Sequence, residues 1–362
     1  MIEFLKTNYQ TIGICALVMA VLIVRIVFSV RSENRNRAQK KRKQAWKDTI
    51  SRCRSDGNFT LTNKEIARFS VSAMLRAFGD LNETNEREAC SAIIRENSKK
   101  LIARIITRAD NAEKGYFAYI LSVSDLSDLA EEERADYTGF VKQLLSNNSV
   151  YCRENALKAL YNLGDAKAVA DAVETLSADA RLHNEKLLSD GMNTFRGDRK
   201  KLAEALMERF DNYDDHSQSA VITFFTVAGF HDWDEEFKKR LERADISTDQ
   251  RCDILRLILK VPSEETKKIL IDVLRAKGQA EDWQTAAVAA TGLADYPDDA
   301  ETIDALKCGI TSPAWNVRMN CAFSLVKIDP PREIFDEILC GSDAFATDAL
   351  KFALNSKGSV KE

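Results

Sequence analysis

Proline and glycine are scarce, 5 and 14 among 362 residues. So few chain breakers, alongside abundant Ala, Leu, Glu, Lys and Asp, exclude a turn-rich sheet architecture and favour helices. Histidine is scarcer still: His183, His216 and His231 stand far apart. The eight cysteines (Cys15, Cys53, Cys90, Cys152, Cys252, Cys308, Cys321 and Cys340) include no C-x-x-C pair. A zinc centre needs convergent Cys/His spacing, so no metal is expected. Most of the cysteines sit among apolar helical positions and read as small, reduced core residues. Phosphate-cradling glycine loops, a G-x-S-x-G nucleophile turn and H-E-x-x-H are missing as well. The residues therefore nominate no catalytic group and no cofactor. The acidic clusters Asp211-Asp214-Asp215 and Asp232-Asp234-Glu235-Glu236 lack the spacing and glycine of a calcium loop and read as solvated loops. Phe224, Phe225 and Phe230 read as core, and His231-Asp232, adjacent at one helix end, are poorly placed to converge on a substrate.

One long apolar run is present. Residues 11–30 read TIGICALVMAVLIVRIVFSV. Twenty helical residues at about 1.5 Å each span about 30 Å, the thickness of bilayer hydrocarbon. Arg25, its one charge, lies near the end, where its side chain can reach the interface. A cleaved leader would carry its positive charge before the run and a small-residue cleavage site after it; this segment has neither, and reads as an anchor.

Charge is distributed unevenly around that run. Residues 31–54 hold ten Lys/Arg against Glu33 and Asp48, an excess of eight. The positive-inside rule then places the C-terminal body in the cytoplasm and residues 1–10 outside. Lys40, Lys41, Arg42 and Lys43 are the expected contacts with anionic lipid headgroups. The chain is −4 overall and residues 1–30 carry +1, which leaves −13 on residues 55–362. A body that acidic repels phosphate backbones, so no nucleic-acid partner is expected.

The chain repeats itself. Residues 283–309 align without a gap on 315–341 at a shift of 32, pairing Trp283 with Trp315, Leu293 with Leu325, Cys308 with Cys340 and Gly309 with Gly341. Residues 150–165 (VYCRENALKALYNLGD) align on 315–330 at a shift of 165, five periods of 33. Further units fit at about 180–211, 214–245 and 247–279, with turns at Gly164-Asp165, Val261-Pro262, Pro297-Asp298 and Pro330-Pro331. A period in the low thirties with two helices per unit predicts an α-solenoid, because one helical pair cannot bury its apolar face alone.

The run V-x-x-R-x-x-A-x-x-A-L-x-x-L-G-D at 150–165, and S-P-A-W-N-V-R-M-N-C-A-F-S-L at 312–325, resemble the short HEAT repeat of phycobilisome lyases. The resemblance implies an all-α fold: a right-handed, armadillo-like superhelix of helical hairpins, here following one transmembrane helix. It also implies that the arginine opening the first helix and the acid after the turn bridge adjacent units. Arg153, Arg318 and Asp165 occupy those places, whereas Trp283-Gln284-Thr285 has no arginine. The expected organisation is an external N-terminus (1–10), a span (11–30), a basic juxtamembrane segment (31–58), divergent helical repeats (59–147), HEAT-like repeats (148–342), and a cap helix with a polar tail (343–362).

These features together point to a membrane-anchored cytoplasmic scaffold or adaptor, single-pass in a cell membrane of prokaryotic type. It is not expected to be an enzyme. Its partner would be a protein with a basic surface, a membrane-associated enzyme or part of an envelope machinery. The second helices at about 166–176, 199–210, 264–275, 300–308 and 332–340 would offer the contact surface. A small-molecule ligand is not expected on this reading. The alternatives are a ligand-responsive sensor and, by analogy with the repeat's other owners, a phycobilin-lyase-like enzyme.

Overall fold

The computed structural model describes residues 2–80, 84–178, 184–277, 282–296 and 299–359, with side chains left aside at 2–16, 76–80, 84–86, 277 and 357–359. Among the described residues there are twenty α-helices and no strand. The chain divides into two compact units, Met1–Ala168 and Val169–Glu362.

The first unit opens with α1 (Ile2–Asp56), an unbroken helix about 80 Å long. Its character changes along its length. Leu17–Val30 lie on no neighbour, and eleven large apolar side chains there are 43–74% exposed. Further on, Trp46, Ile50 and Cys53 are buried at i, i+4 and i+7, the spacing of one helix face. Gly57, at φ 64°, supplies the left-handed residue that ends the helix. Among the described residues no helix is long and apolar enough to cross a membrane. The expected span falls partly outside the side chains described, which begin at Leu17 and omit residues 11–16.

The unit continues with α2 (Asn63–Arg68), α3 (Val71–Asp80), α4 (Thr84–Glu96), α5 (Ser98–Arg108), α6 (Asn111–Val123), α7 (Glu131–Leu144) and α8 (Val150–Leu163). The buried face of α1 packs on α3 and α4. Two devices hold its foot. Glu65 closes a capping box with Thr62 at the start of α2 and accepts both Nε (3.0 Å) and Nη2 (3.2 Å) of Arg52. Asn97, 3% exposed, accepts from Leu61 N (2.8 Å) and donates to Phe59 O (2.9 Å) and Ile93 O (2.8 Å). One side chain thus satisfies the strand-like connection that follows α1. Elsewhere α6 packs closely on α8, and a Cβ at Gly115 would come within 3.3 Å of the Cys152 backbone.

The helix α9 (Ala166–Ala178) crosses the division between the units. The second unit then runs α10 (Glu185–Asn193), α11 (Arg199–Glu208), α12 (Asp215–Ala228), α13 (Asp234–Leu241), α14 (Thr248–Ile258), α15 (Glu264–Lys277), α16 (Trp283–Gly292), α17 (Ala300–Gly309), α18 (Trp315–Ile328), α19 (Arg332–Leu339) and α20 (Ala344–Ser359). Its even-numbered helices pack in series: α10 on α12, α12 on α14, α14 on α16, α16 on α18 and α18 on α20. That order of hairpins is compatible with a helical solenoid. The aligned tryptophans Trp283 and Trp315 are the first residues of α16 and α18. The aligned Gly164 and Asp329 both end their helices in the left-handed region, at φ 73° and 58°. The expected turns at Gly164-Asp165, Val261-Pro262 and Pro330-Pro331 are present, while Pro297-Asp298 lies outside the described residues. The C-terminal segment expected as a polar tail continues instead as helix to Ser359, since no proline interrupts it.

Replacing Asn97 with alanine strands Leu61 N and Phe59 O in a buried place. It should lower the unfolding free energy by about 2–4 kcal/mol in urea titrations. Gln44→Ala on exposed α1 should change it by less than about 0.5 kcal/mol.

Candidate functional site

The cationic side chains of α1 do not all face the same way. Lys41 and Arg42 line a cleft of about 640 Å³ closed by the α2–α3 turn and by α5, while exposed Lys40 lies outside its walls. Arg68, Arg104 and Arg108 complete a ring of five cations, with Glu113 the single acid on the walls. One Glu113 oxygen already accepts from Ser72 Oγ at 3.1 Å. Arg104 is held from behind, its Nη2 donating to Ala67 O (3.1 Å) and Phe69 O (3.5 Å), and its buried Nε has no acceptor. Lys41, Arg42, Arg68 and Arg108 make no ion pair with any described carboxylate. Beside this space lies a smaller one of about 270 Å³, also lined by Arg42, Arg68, Phe69 and Ser70, and walled by Trp46. Trp46 is 7% exposed, meets Phe69 edge to face at 5.6 Å, and its Nε1 has no hydrogen-bond partner. Reading the sequence picked out Lys41 and Arg42 but missed the other three cations. The available signal was the four-residue recurrence of Lys100, Arg104 and Arg108 on the polar side of α5.

The odd-numbered helices carry a different charge pattern. Successive ones are tied by ion pairs: Arg209–Asp171 (2.8 Å), Arg240–Asp211 (2.7 Å), Lys238–Glu265 (2.6 Å), Lys267–Asp299 (2.8 Å) and Lys307–Glu337 (2.6 Å). Lys99–Glu132 (2.6 Å) joins α5 to α7 in the first unit in the same manner. Singly such pairs contribute little; in series they favour one register of neighbours. They also neutralise part of the acidity expected to draw a basic partner. The Arg240 guanidinium holds the Asp211 carboxyl below the usual carboxylate range. The Lys267 ammonium, with Thr302 N–H, does the same for Asp299.

The repeat-position residues are placed as follows. Arg153 Nη1 donates to Asn147 O (2.7 Å) and Asn148 O (3.1 Å); Arg318 Nη1 donates to Ser312 O (2.7 Å) and Pro313 O (2.8 Å). The two sets coincide at the shift of 165, so each arginine closes the loop entering its own helix. Asp165 caps α9 through Ala168 N (2.9 Å). Trp283 is half-buried, but Trp315 is exposed and lines an apolar groove of about 320 Å³ with Arg318, Phe345 and Phe352. The Arg318 guanidinium lies 5.2 Å from the Phe345 ring centre.

The remaining sequence candidates have structural explanations. His231 Nδ1 lies 3.1 Å from Asp234, not Asp232, and Asp214 caps α12 through Ser217 N. Phe224 and Phe225 are fully buried and pack with Phe230. Among the described residues no group of three His, Cys, Asp or Glu side chains could hold a metal. The described cysteines form no disulfide; Cys53, Cys90, Cys152, Cys252 and Cys321 are buried, and Cys308 and Cys340 are exposed. No protein-family model, curated protein or solved structure matches the chain.

Because Asp299 titrates below an ordinary aspartate, its pair stabilises the fold above about pH 3.9, the unfolded value, and that stabilisation is lost as pH falls through the depressed folded value. Asp299→Asn retains an oxygen to cap α17 but cannot ionise. Comparing urea midpoints at pH 7 and pH 3, the variant should lose less stability on acidification than the wild type.

Proposed function

We propose that this chain is a membrane-anchored adaptor of HEAT-like repeats, held at the cytoplasmic face through residues 11–30 and gathering a protein partner there. One observation carries the reading. Eleven large apolar side chains stand exposed on Leu17–Val30 of a helix whose next turns are strongly basic. In water each such side chain forgoes roughly 1.5–3 kcal/mol of burial, and a bilayer recovers it. The adjoining excess of Lys/Arg favours the cytoplasmic side for the body. Hairpins stacked in series, with matched capping and loop-closing residues at the shift of 165, support the repeat reading and the extended surface such arrays offer.

Tethering raises the effective concentration of the body towards other membrane proteins. Partner preference then follows the net negative charge of residues 55–362 that remains after the internal ion pairs. The five-cation cleft favours a second reading, a ligand-responsive module, in which a small anion bound at the foot of α1 alters what the repeats present.

Carbonate extraction of membranes should leave the full chain in the pellet, and deletion of residues 1–30 should move it to the soluble fraction. A C-terminal tag should resist protease added to intact cells. Proximity labelling from that tag should mark a membrane-associated protein with the full chain and not with the deletion. A full chain that extracts freely, or a tag cleaved from outside, overturns the anchored reading.

A further inference from the structure

Five like charges around one cleft are unfavourable unless something of opposite sign occupies it. Lys41, Arg42, Arg68, Arg104 and Arg108 outnumber the single acid Glu113, in a chain that is acidic as a whole. Folding brings them together from three places, α1, the end of α2 and α5, so their meeting is a tertiary feature and not a run of basic sequence. Ion pairs bind many of the cations elsewhere in this protein, yet Lys41, Arg42, Arg68 and Arg108 have none with a described carboxylate.

The donors are also partly organised in advance. Two backbone carbonyls hold Arg104 in place and leave its buried Nε without an acceptor. Ser70 and Val71, at the start of the ten-residue α3, line the same cleft, where a helix presents unpaired N–H groups and the positive end of its dipole. Guanidinium forks, an ammonium and a helix N-terminus are the groups that bind phosphate oxygens. A volume of about 640 Å³ lies in the range of small-molecule sites and exceeds what a lone inorganic ion needs.

We propose that this cleft binds a ligand carrying two or more phosphate groups. The phosphates would sit among Lys41, Arg42, Arg68, Arg104 and Arg108, with Arg104 as the fixed centre. Two sources share that chemistry, a soluble oligophosphate and a phospholipid headgroup that bears two or more phosphates. The position of the cleft favours the soluble one, a preference that rests on the anchored reading; the binding itself does not. Lys41 lies eleven helical residues beyond Val30, about 17 Å along the axis. The headgroup layer on each side of the hydrocarbon is only about 5–8 Å deep. A helix tilted by about 40°, the upper end for membrane helices, still holds Lys41 about 13 Å below the hydrocarbon edge.

The test titrates inorganic pyrophosphate into the full chain in zwitterionic detergent micelles and reads the heat. Saturable binding at one site per chain is expected, weakening as salt is raised. The double variant R68A/R108A removes two exposed cations without disturbing a described hydrogen bond. It should weaken binding about 100-fold, roughly tenfold for each lost charge-assisted contact. Lys40→Ala, outside the cleft, should leave the affinity unchanged. Circular dichroism establishes that each variant is folded. Doping the micelles with cardiolipin, whose headgroup carries two phosphates, separates the sources: competition with pyrophosphate assigns the site to a headgroup, and no competition assigns it to a soluble ligand. Absence of saturable binding, or equal weakening by Lys40→Ala and R68A/R108A, overturns the proposal. Failure of the anchored reading appears separately, as loss of membrane association with pyrophosphate binding intact.

Discussion

The second unit depends on how closely its even-numbered helices approach one another. Ala286, Ala289, Ala290 and Ala322 are fully buried, and a Cβ at Gly292, the last residue of α16, would collide with the side chain of Leu259 at the end of α14. Side chains that small bring backbones near enough for polar groups to reach across. Asn320 Nδ2 donates to Ala287 O (2.9 Å) and Ser324 Oγ to Ala290 O (2.7 Å), both from α18 to α16. Asn155, aligned with Asn320 at the shift of 165, donates to Gly115 O (3.3 Å) from α8 to α6 in the first unit. Interiors of this kind tolerate little change in volume, so the small residues constrain the spacing of everything attached to them.

A second, weaker constraint acts on the odd-numbered helices. Their ion pairs are half-exposed and individually modest, but each joins one odd-numbered helix to the next. Apolar and amide contacts on one side and ionic contacts on the other leave each hairpin few alternative registers. The ionic side responds to pH and salt, and the apolar side far less.

Helix α1 belongs to two environments. Its last turns are core, through Trp46, Ile50 and Cys53, and they are held by Asn97 and by the Arg52–Glu65 pair. Its apolar stretch has no protein neighbour. Between them lie the cations, some turned to solvent and some to the cleft. Any force on the apolar rod, or any anion bound at its foot, therefore acts on the same few turns of helix.

Several features were legible from residue spacing alone. The helical class, the hairpin starts at Trp283 and Trp315, the turn at Gly164 and the burial of the phenylalanines follow from periodicity and from local capping, which act over a few residues. The loop carbonyls that Arg153 and Arg318 meet were not legible, because spacing places an arginine on its helix without saying which acceptors its guanidinium reaches. The two matched tryptophans look alike in the alignment, yet only Trp315 is exposed, since its neighbours come from α20, the last helix.

Composition and pattern by themselves determined that this chain would be helical, repetitive and acidic, with one apolar run beside a basic one, because those properties are local or additive along the chain. Tertiary structure alone decided which cations face each other. Lys41 and Arg108 are far apart in sequence, and a long-range meeting of like charges has no local signature: it is imposed by the packing of α1 on α3 and α4, which burial of apolar side chains drives despite the repulsion.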